Sequence, residues 1–219
     1  MTNKKYFGSL IAVLAAFLVS VLPIRASEWN HLTKLIVHQT IQVPGATLTP
    51  GTYWVRLVDS QSDRNIVQFM NGDQNKVLST TIAIPDERMH VTGHTKLVFY
   101  EAAPNTPPAL RAWWYPGAVY GDEFVYPKHE AMEVAHGANR NVPAMDQADM
   151  NNLSNNSSTP DSALSASQNS KIYSVTPQNS TMNYNTAETQ NEKMDTNTPS
   201  KTNSQNYGEV QQSSNNPQR

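Results

Sequence analysis

The sequence predicts an all-β protein: a single antiparallel β-sandwich of about seven strands, followed by a disordered C-terminal tail. Aliphatic and aromatic residues are dense before about residue 137 and scarce after it, so the core must come from the first half. Between residues 32 and 126 they form short β-branched or aromatic runs that Pro, Gly, Asn and Asp clusters separate. No segment of useful length repeats with the helical period.

The first element is a leader at residues 1–26, which we predict to be a signal peptide. It has a basic start at Lys4 and Lys5, an apolar stretch over residues 10–22, and the small residue Ala26 at the expected cleavage point. The alternative is a short membrane anchor, but this stretch falls short of the roughly 20 apolar residues that span a bilayer. We therefore expect an exported bacterial protein, periplasmic or extracellular, with no stable membrane insertion after cleavage.

A β-sandwich domain is predicted over residues 27–136. Its seven candidate strands cover residues 34–43, 52–58, 65–70, 76–84, 95–101, 109–115 and 123–126. Pro44-Gly45 and Pro50-Gly51 bracket a tight reversal, since Pro presets φ and Gly accepts a positive φ. Asn71-Gly72-Asp73 predicts a hairpin between the third and fourth strands.

Alternation along the strands assigns the side chains to two faces, because neighbouring residues in a strand point to opposite sides. Tyr53, Val55 and Leu57 share one face. The matching inward sets from the other strands are Val67, Phe69, Leu78, Ile82, Ile84, Leu97 and Phe99. The chain has no cysteine, so this core must hold the domain without disulfides.

The last predicted element is a disordered tail at residues 137–219, rich in Asn, Ser, Thr and Gln. Its few aliphatic residues would not offset the entropy of ordering the chain. One β-prone stretch, residues 171–175, could add as a strand to an exposed sheet edge, but we expect it to be unstructured.

The charge of the chain argues against nucleic-acid binding. The full sequence has 16 basic and 18 acidic residues, and the leader contributes three of the basic ones, so the net charge falls from −2 to −5 after cleavage. A mildly acidic protein offers no basic patch for a phosphate backbone or an anionic lipid surface.

Aromatic and guanidinium groups alternate on the outer faces of two predicted strands, and we take them as candidate binding residues. Trp54 and Arg56 lie on one strand, and Arg111, Trp113 and Tyr115 on another. If these strands were neighbours, the five side chains would form a flat platform for sugar rings or for a protein partner. The alternative is that Trp113, Trp114 and Tyr115 straddle both faces of the sheet, with one side filling the core and the other covered by a loop.

We expect no metal, no cofactor and no enzymatic activity. His90 and His94 are four residues apart, but Val-Thr-Gly between them indicates a turn and not a zinc-binding helix. Asp122 and Glu123 are adjacent in a strand, so they point apart and cannot act together as acid and base. No nucleophile elbow and no phosphate-binding glycine loop is present in the sequence.

Several short strings carry a resemblance to a known family. They are Glu28-Trp29-Asn30, Val43-Pro44-Gly45, Pro50-Gly51-Thr52-Tyr53, Ala83-Ile84-Pro85, and residues 108–117 and 123–127. Together they resemble an uncharacterised family of small exported bacterial β-domain proteins. The resemblance covers residues 27–136, and it implies export and a β-domain but no reaction or ligand.

Two functions follow as hypotheses from the sequence. The first is a non-enzymatic exported binding or structural module that engages a cell-envelope glycan or protein through its aromatic and arginine surface. The second is an envelope-associated scaffold whose β-domain only mounts the long tail and has no ligand site. A third, a hydrolase, would need a pocket that gathers histidine and acidic side chains. Exposure of Trp54 and Trp113 separates the first two hypotheses, since a platform needs both exposed.

Overall fold

The structure, a computed structural model, describes residues 32–60, 64–184 and 208–212. It confirms the predicted β class, with 44% strand, 21% helix and a large curled antiparallel sheet of seven strands. The predicted signal peptide lies outside the described residues, as do residues 185–207 and 213–219 of the predicted tail. Within the described ranges, no helix is both long and apolar enough to cross a membrane.

The large sheet contains most of the strands that the sequence predicts. Its members are β1 (Leu32–Val37), β4 (Gly51–Ser60), β5 (Asn65–Asn71), β6 (Val77–Glu87), β7 (Lys96–Phe99), β8 (Leu110–Trp114) and β9 (Tyr120–Phe124). They lie in the order β1-β4-β5-β6-β9-β8-β7, and β14 (Gly208–Gln212) pairs with the outer edge of β1. Strands β4 and β8 are thus separated by three others.

The smaller elements pack around this sheet. A hairpin joins β2 (Ile41–Val43) to β3 (Ala46–Leu48) through Pro44 and Gly45, whose φ of 73° is the positive value expected at this turn. A four-stranded sheet contains β10 (Tyr126–Pro127), β11 (Val142–Met145), β12 (Ile172–Val175) and β13 (Thr181–Met182). Three helices complete the described part of the fold: α1 (Lys128–Ala138), α2 (Gln147–Asn155) and α3 (Pro160–Asn169).

Two apolar clusters lie on the two faces of the large sheet. The first unites residues from both ends of the sheet, such as Val55 and Trp113, with the β2–β3 hairpin and with Ala131 of α1. Curling therefore lets one sheet enclose a core as two facing sheets would. The second cluster joins Ile66 and Ile82 on the opposite face to residues of α2 and α3.

A bulge between β5 and β6 explains why the prediction that Leu78, Ile82 and Ile84 share one face of the sheet is wrong. Phe69 pairs with Ser79 and Met70 pairs with Val77, so Leu78 is an extra residue without an opposite partner. Leu78 therefore packs against the first cluster, whereas Ile82 and Ile84 belong to the second. A one-residue slip reverses every later side chain of a strand.

The predicted start of the tail at residue 137 is corrected by the structure. Residues 137–184 contain helices α2 and α3 and strands β11–β13, and the β-prone stretch 171–175 includes β12. That strand pairs with β11 and not with the edge of the large sheet. The physical reason lies in the sheet, which leaves the apolar side chains of β5 and β6 on a second face. Met150 and Leu153 of α2 cover that face, so few aliphatic residues suffice to order this region.

Candidate functional site

The five predicted binding residues do not form one platform. Trp54 and Arg56 lie on β4, while Arg111 and Trp113 lie on β8 and Tyr115 directly follows it. Strands β5, β6 and β9 intervene between the two groups. The sequence could not supply this order, because it depends on which strands pair across the long connections.

Trp113 is part of the core, and the half-buried Tyr115 packs against it. The Trp113 side chain is fully buried (0% exposed), and its ring lies 4.4 Å from that of Tyr115 between centroids. The Tyr115 hydroxyl donates a hydrogen bond to the carboxylate of Asp122. Burial, together with the negative charge of that carboxylate, raises the pKa of Tyr115 well above its ordinary value. The buried Trp113 ring offers no flat face to a ligand, so for Trp113 the alternative of a core position is the correct one.

Arg111 binds acidic side chains of its own chain. Its Nε lies 2.9 Å from Oε1 of Glu123, and its Nη2 lies 3.4 Å from Oδ2 of Asp86. The hydroxyls of Tyr100 and Tyr184 donate to the same Glu123 carboxylate, at 3.3 and 3.4 Å. The guanidinium is therefore committed to a buried network.

Burial dominates the electrostatics of this network. It raises the pKa of Asp86 to about 6, with a further contribution from the negative charge of Glu123, while Arg111 opposes the shift. The side chain of Glu123 is 0% exposed, so a substrate cannot reach it. The neighbouring Asp122 has separate partners, Asn65 and Tyr115. The geometry suits a structural ion network that ties β6, β8 and β9 together.

Trp54 and Arg56 lie on the sheet face opposite to the one that buries Trp113, and there the strands place polar side chains side by side. Arg56 is opposite Gln68 of β5, and Gln68 is opposite Thr80 of β6. Residues directly opposite each other in an antiparallel pair share a face. Trp54, two residues from Arg56, is half-buried, and its Nε1 donates to the carbonyl oxygen of Gly72 at 2.9 Å.

A cleft of about 350 Å³ opens beside Arg56. Its floor is the sheet, through Arg56, Gln68 and residues 77–80. Its wall is the last turn of α2, through Ser154 and Asn155, and the turn between α2 and α3, through Ser157 and Ser158. Two contacts join wall and floor. Nε2 of Gln68 donates to the carbonyl oxygen of Ser157 at 3.4 Å, and the Thr80 and Ser157 hydroxyls are 3.3 Å apart.

The cleft is polar, and Arg56 is the one charged residue among the described residues that line it. The Arg56 Nη2 donates to Oε1 of Gln68 at 2.5 Å, whereas its Nε has no hydrogen-bond partner among the described residues. Hydroxyl and amide groups make up most of the remaining lining. This set of donors and acceptors can bind a small polyhydroxylated or anionic molecule.

Sequence reasoning missed the wall of the cleft because the wall lies in the predicted tail. One local signal was available there. Thr159 caps α3, with its hydroxyl accepting from the Ser162 backbone N–H, and Pro160 occupies the first turn. A Ser/Thr residue followed by Pro and Asp is typical of a helix start, and it places the preceding Ser157 and Ser158 in an ordered turn.

The histidines lie elsewhere. His90 and His94 are both exposed in the loop between β6 and β7. In the described part of the chain, no three or more His, Cys, Asp or Glu side chains gather closely enough to hold a metal ion.

Comparison of the chain with family models, with curated proteins and with solved structures finds no match.

Proposed function

We propose that this protein is a non-enzymatic exported binding module, and that it holds a glycan of the cell envelope in the cleft beside Arg56. The observation that carries the proposal is the composition of the cleft: one guanidinium, several hydroxyls and two side-chain amides, with a half-buried tryptophan on the same face. Export rests on the leader pattern of residues 1–26.

The chemistry of sugars fits this lining. A sugar ring offers hydroxyls that both donate and accept, and the hydroxyl and amide side chains of the cleft do the same. Sugars also present apolar ring faces, which stack on aromatic side chains such as Trp54. Small-molecule sites are commonly concave clefts of a few hundred cubic ångströms with a few polar groups that fix orientation.

Binding of purified envelope polysaccharide fractions to the full chain tests the proposal. Isothermal titration should detect one binding fraction, and Ser158→Phe should weaken that binding about tenfold or more, because the exposed Ser158 can be enlarged to fill the cleft. Tyr120→Ala is the matched control, since it alters an aromatic side chain that is 63% exposed and lies outside the cleft. Equal binding by all three proteins would refute the cleft as the site.

The second candidate is the scaffold, in which the β-domain serves only to mount the chain beyond it. One observation favours it: Arg111, Trp113 and Tyr115 are engaged inside the domain, which removes more than half of the expected platform. If no fraction binds and Ser158→Phe changes nothing, the scaffold becomes the better proposal.

A further inference from the structure

We infer that the saccharide held in the cleft is acidic, and that Arg56 binds its carboxylate. This inference rests on the proposed function and adds the chemical class of the ligand. It predicts discrimination between a uronic acid unit and the neutral sugar of the same shape.

The charge of the cleft is the first step. Arg56 contributes a positive charge, and neither aspartate nor glutamate occurs among the described residues that line the cleft. Lys34 adds a second cation on the same sheet face, because it lies directly opposite Trp54 in the β1–β4 pairing. The overall charge of the chain is negative, so this cleft differs in sign from the molecule that carries it. An anionic group is therefore favoured here over a neutral one.

The donor capacity of Arg56 is the second step. A guanidinium has five N–H donors in a planar fork, and Gln68 is its one acceptor among the described residues. Its Nε is shielded from solvent and has no hydrogen-bond partner among the described residues, so the fork keeps unused donors. The two oxygens of a carboxylate match the fork and can accept from several donors at once.

The orientation of the guanidinium is the third step. Gln68 is 2% exposed, and its amide is fixed at both ends, accepting from Arg56 and donating to the Ser157 carbonyl oxygen. The turn between α2 and α3 therefore positions Gln68, and Gln68 positions Arg56. A cation that is held before the ligand arrives loses less rotamer entropy on binding.

The experiment compares trigalacturonic acid with its methyl ester, which has the same rings and linkages but no negative charge. We expect the acid to bind the full chain about tenfold or more tightly than the ester at low salt, because charge-assisted hydrogen bonds are the stronger class. Arg56→Gln should abolish the preference, and Arg56→Lys should retain part of it, since lysine keeps the charge but not the fork.

Gln68→Glu is a second variant that leaves Arg56 in place. It should also abolish the preference, because the new carboxylate would neutralise the guanidinium from the position of the Gln68 amide. Lys96→Gln is the matched control: it removes one positive charge from the exposed Lys96 on β7, at the far edge of the sheet, and should change nothing.

The outcomes separate this inference from the proposed function. Equal binding of acid and ester, with both weakened by Ser158→Phe, would leave the glycan site standing and overturn the acidic ligand. A preference for the acid that survives Arg56→Gln would overturn the role of Arg56. Failure of both trimers to bind at about 10 mM would overturn the acidic ligand as well, while the titration with envelope fractions decides the proposed function independently.

Discussion

At the scale of single residues, the same residue type has different roles at different places on the sheet. Arg111 is enclosed by Glu123 and Asp86, whereas Arg56 has Gln68 as its neutral partner and borders the cleft. Likewise Trp113 is in the core, and Trp54 is half-buried on the outer face. Burial and partners therefore decide which arginine and which tryptophan are free to meet a ligand.

Removing Arg111 tests its structural role. Arg111→Leu should lower the free energy of unfolding by about 3–5 kcal/mol, because it leaves the buried Glu123 carboxylate without its cation. Urea unfolding measures the change, and Lys96→Gln, at an exposed position, should stay within about 0.5 kcal/mol of the wild type. Unchanged stability combined with lost glycan binding would instead make Arg111 a binding residue.

The pKa of Asp86 predicts a pH dependence. Since its folded pKa is about 6 and its ordinary value is 3.8, the folded state binds more protons than the unfolded state between these pH values. This group therefore stabilises the fold least above pH 6, and stability should fall as pH rises from about 4 to about 6. Asp122, also shifted to about 6 by burial, acts in the same direction.

Asp86→Asn isolates the contribution of this residue. In the variant, the fall in unfolding free energy between about pH 4 and about pH 6 should be smaller by about 1–3 kcal/mol. Urea unfolding at several pH values measures it. The groups that face Asp86 are Glu123, Arg111 and Arg140, and they remain in the variant. Glu133→Gln, which removes an exposed acid of α1, is the control and should leave the slope unchanged. A slope that is identical in Asp86→Asn and wild type would contradict the prediction.

At the scale of elements, helices α2 and α3 cover apolar side chains on one face of the sheet that would otherwise be exposed to solvent. Leu153 of α2 is 0% exposed and packs in the cluster with Ile66 and Ile82. These helices have few aliphatic residues of their own, so their order depends on the sheet.

Shortening Leu153 tests this cover. Leu153→Ala should cost about 2–5 kcal/mol in the free energy of unfolding, because it removes buried methyl groups and leaves a cavity. Asn151→Ala, on the exposed side of the same helix, should change it by less than about 0.5 kcal/mol. Thermal or urea unfolding measures the stability of the two variants. Equal stability of both would mean that α2 does not pack on the sheet.

At the scale of the whole molecule, the folded region extends about 48 residues past the boundary that composition predicts, from residue 137 to residue 184. The added part contributes α2, α3 and β11–β13, and it also supplies one wall of the cleft. Fold and candidate site therefore depend on the same segment.

Two truncated chains test the extent of the folded region. A chain ending at residue 184 should unfold cooperatively, whereas a chain ending at residue 136 should lose most of its stability, because it exposes Ile66, Ile82 and Ile84. Circular dichroism during heating distinguishes them. A stable, cooperative fragment ending at residue 136 would restore the boundary predicted from the sequence.

Much of the fold could be predicted from local sequence. β-branched runs located the strands of the large sheet, and Pro44-Gly45 marked the turn that Gly45 completes with a positive φ. Only part of the candidate site could be predicted. Trp54 and Arg56 were identified because they alternate with apolar residues on β4, whereas the serine-rich wall of the cleft has no apolar pattern that would indicate an ordered element.

The sequence by itself determined the β class, the approximate positions of the strands in the large sheet and several turns, since periodicity and turn chemistry act over a few residues. Only the tertiary structure decided the strand order, the burial of Trp113, the bulge at Leu78 and the folding of residues 137–184. Those features depend on contacts between residues far apart in the chain. Sparse apolar residues order a segment only when another element presents a matching apolar face, and that face exists only once the sheet has formed.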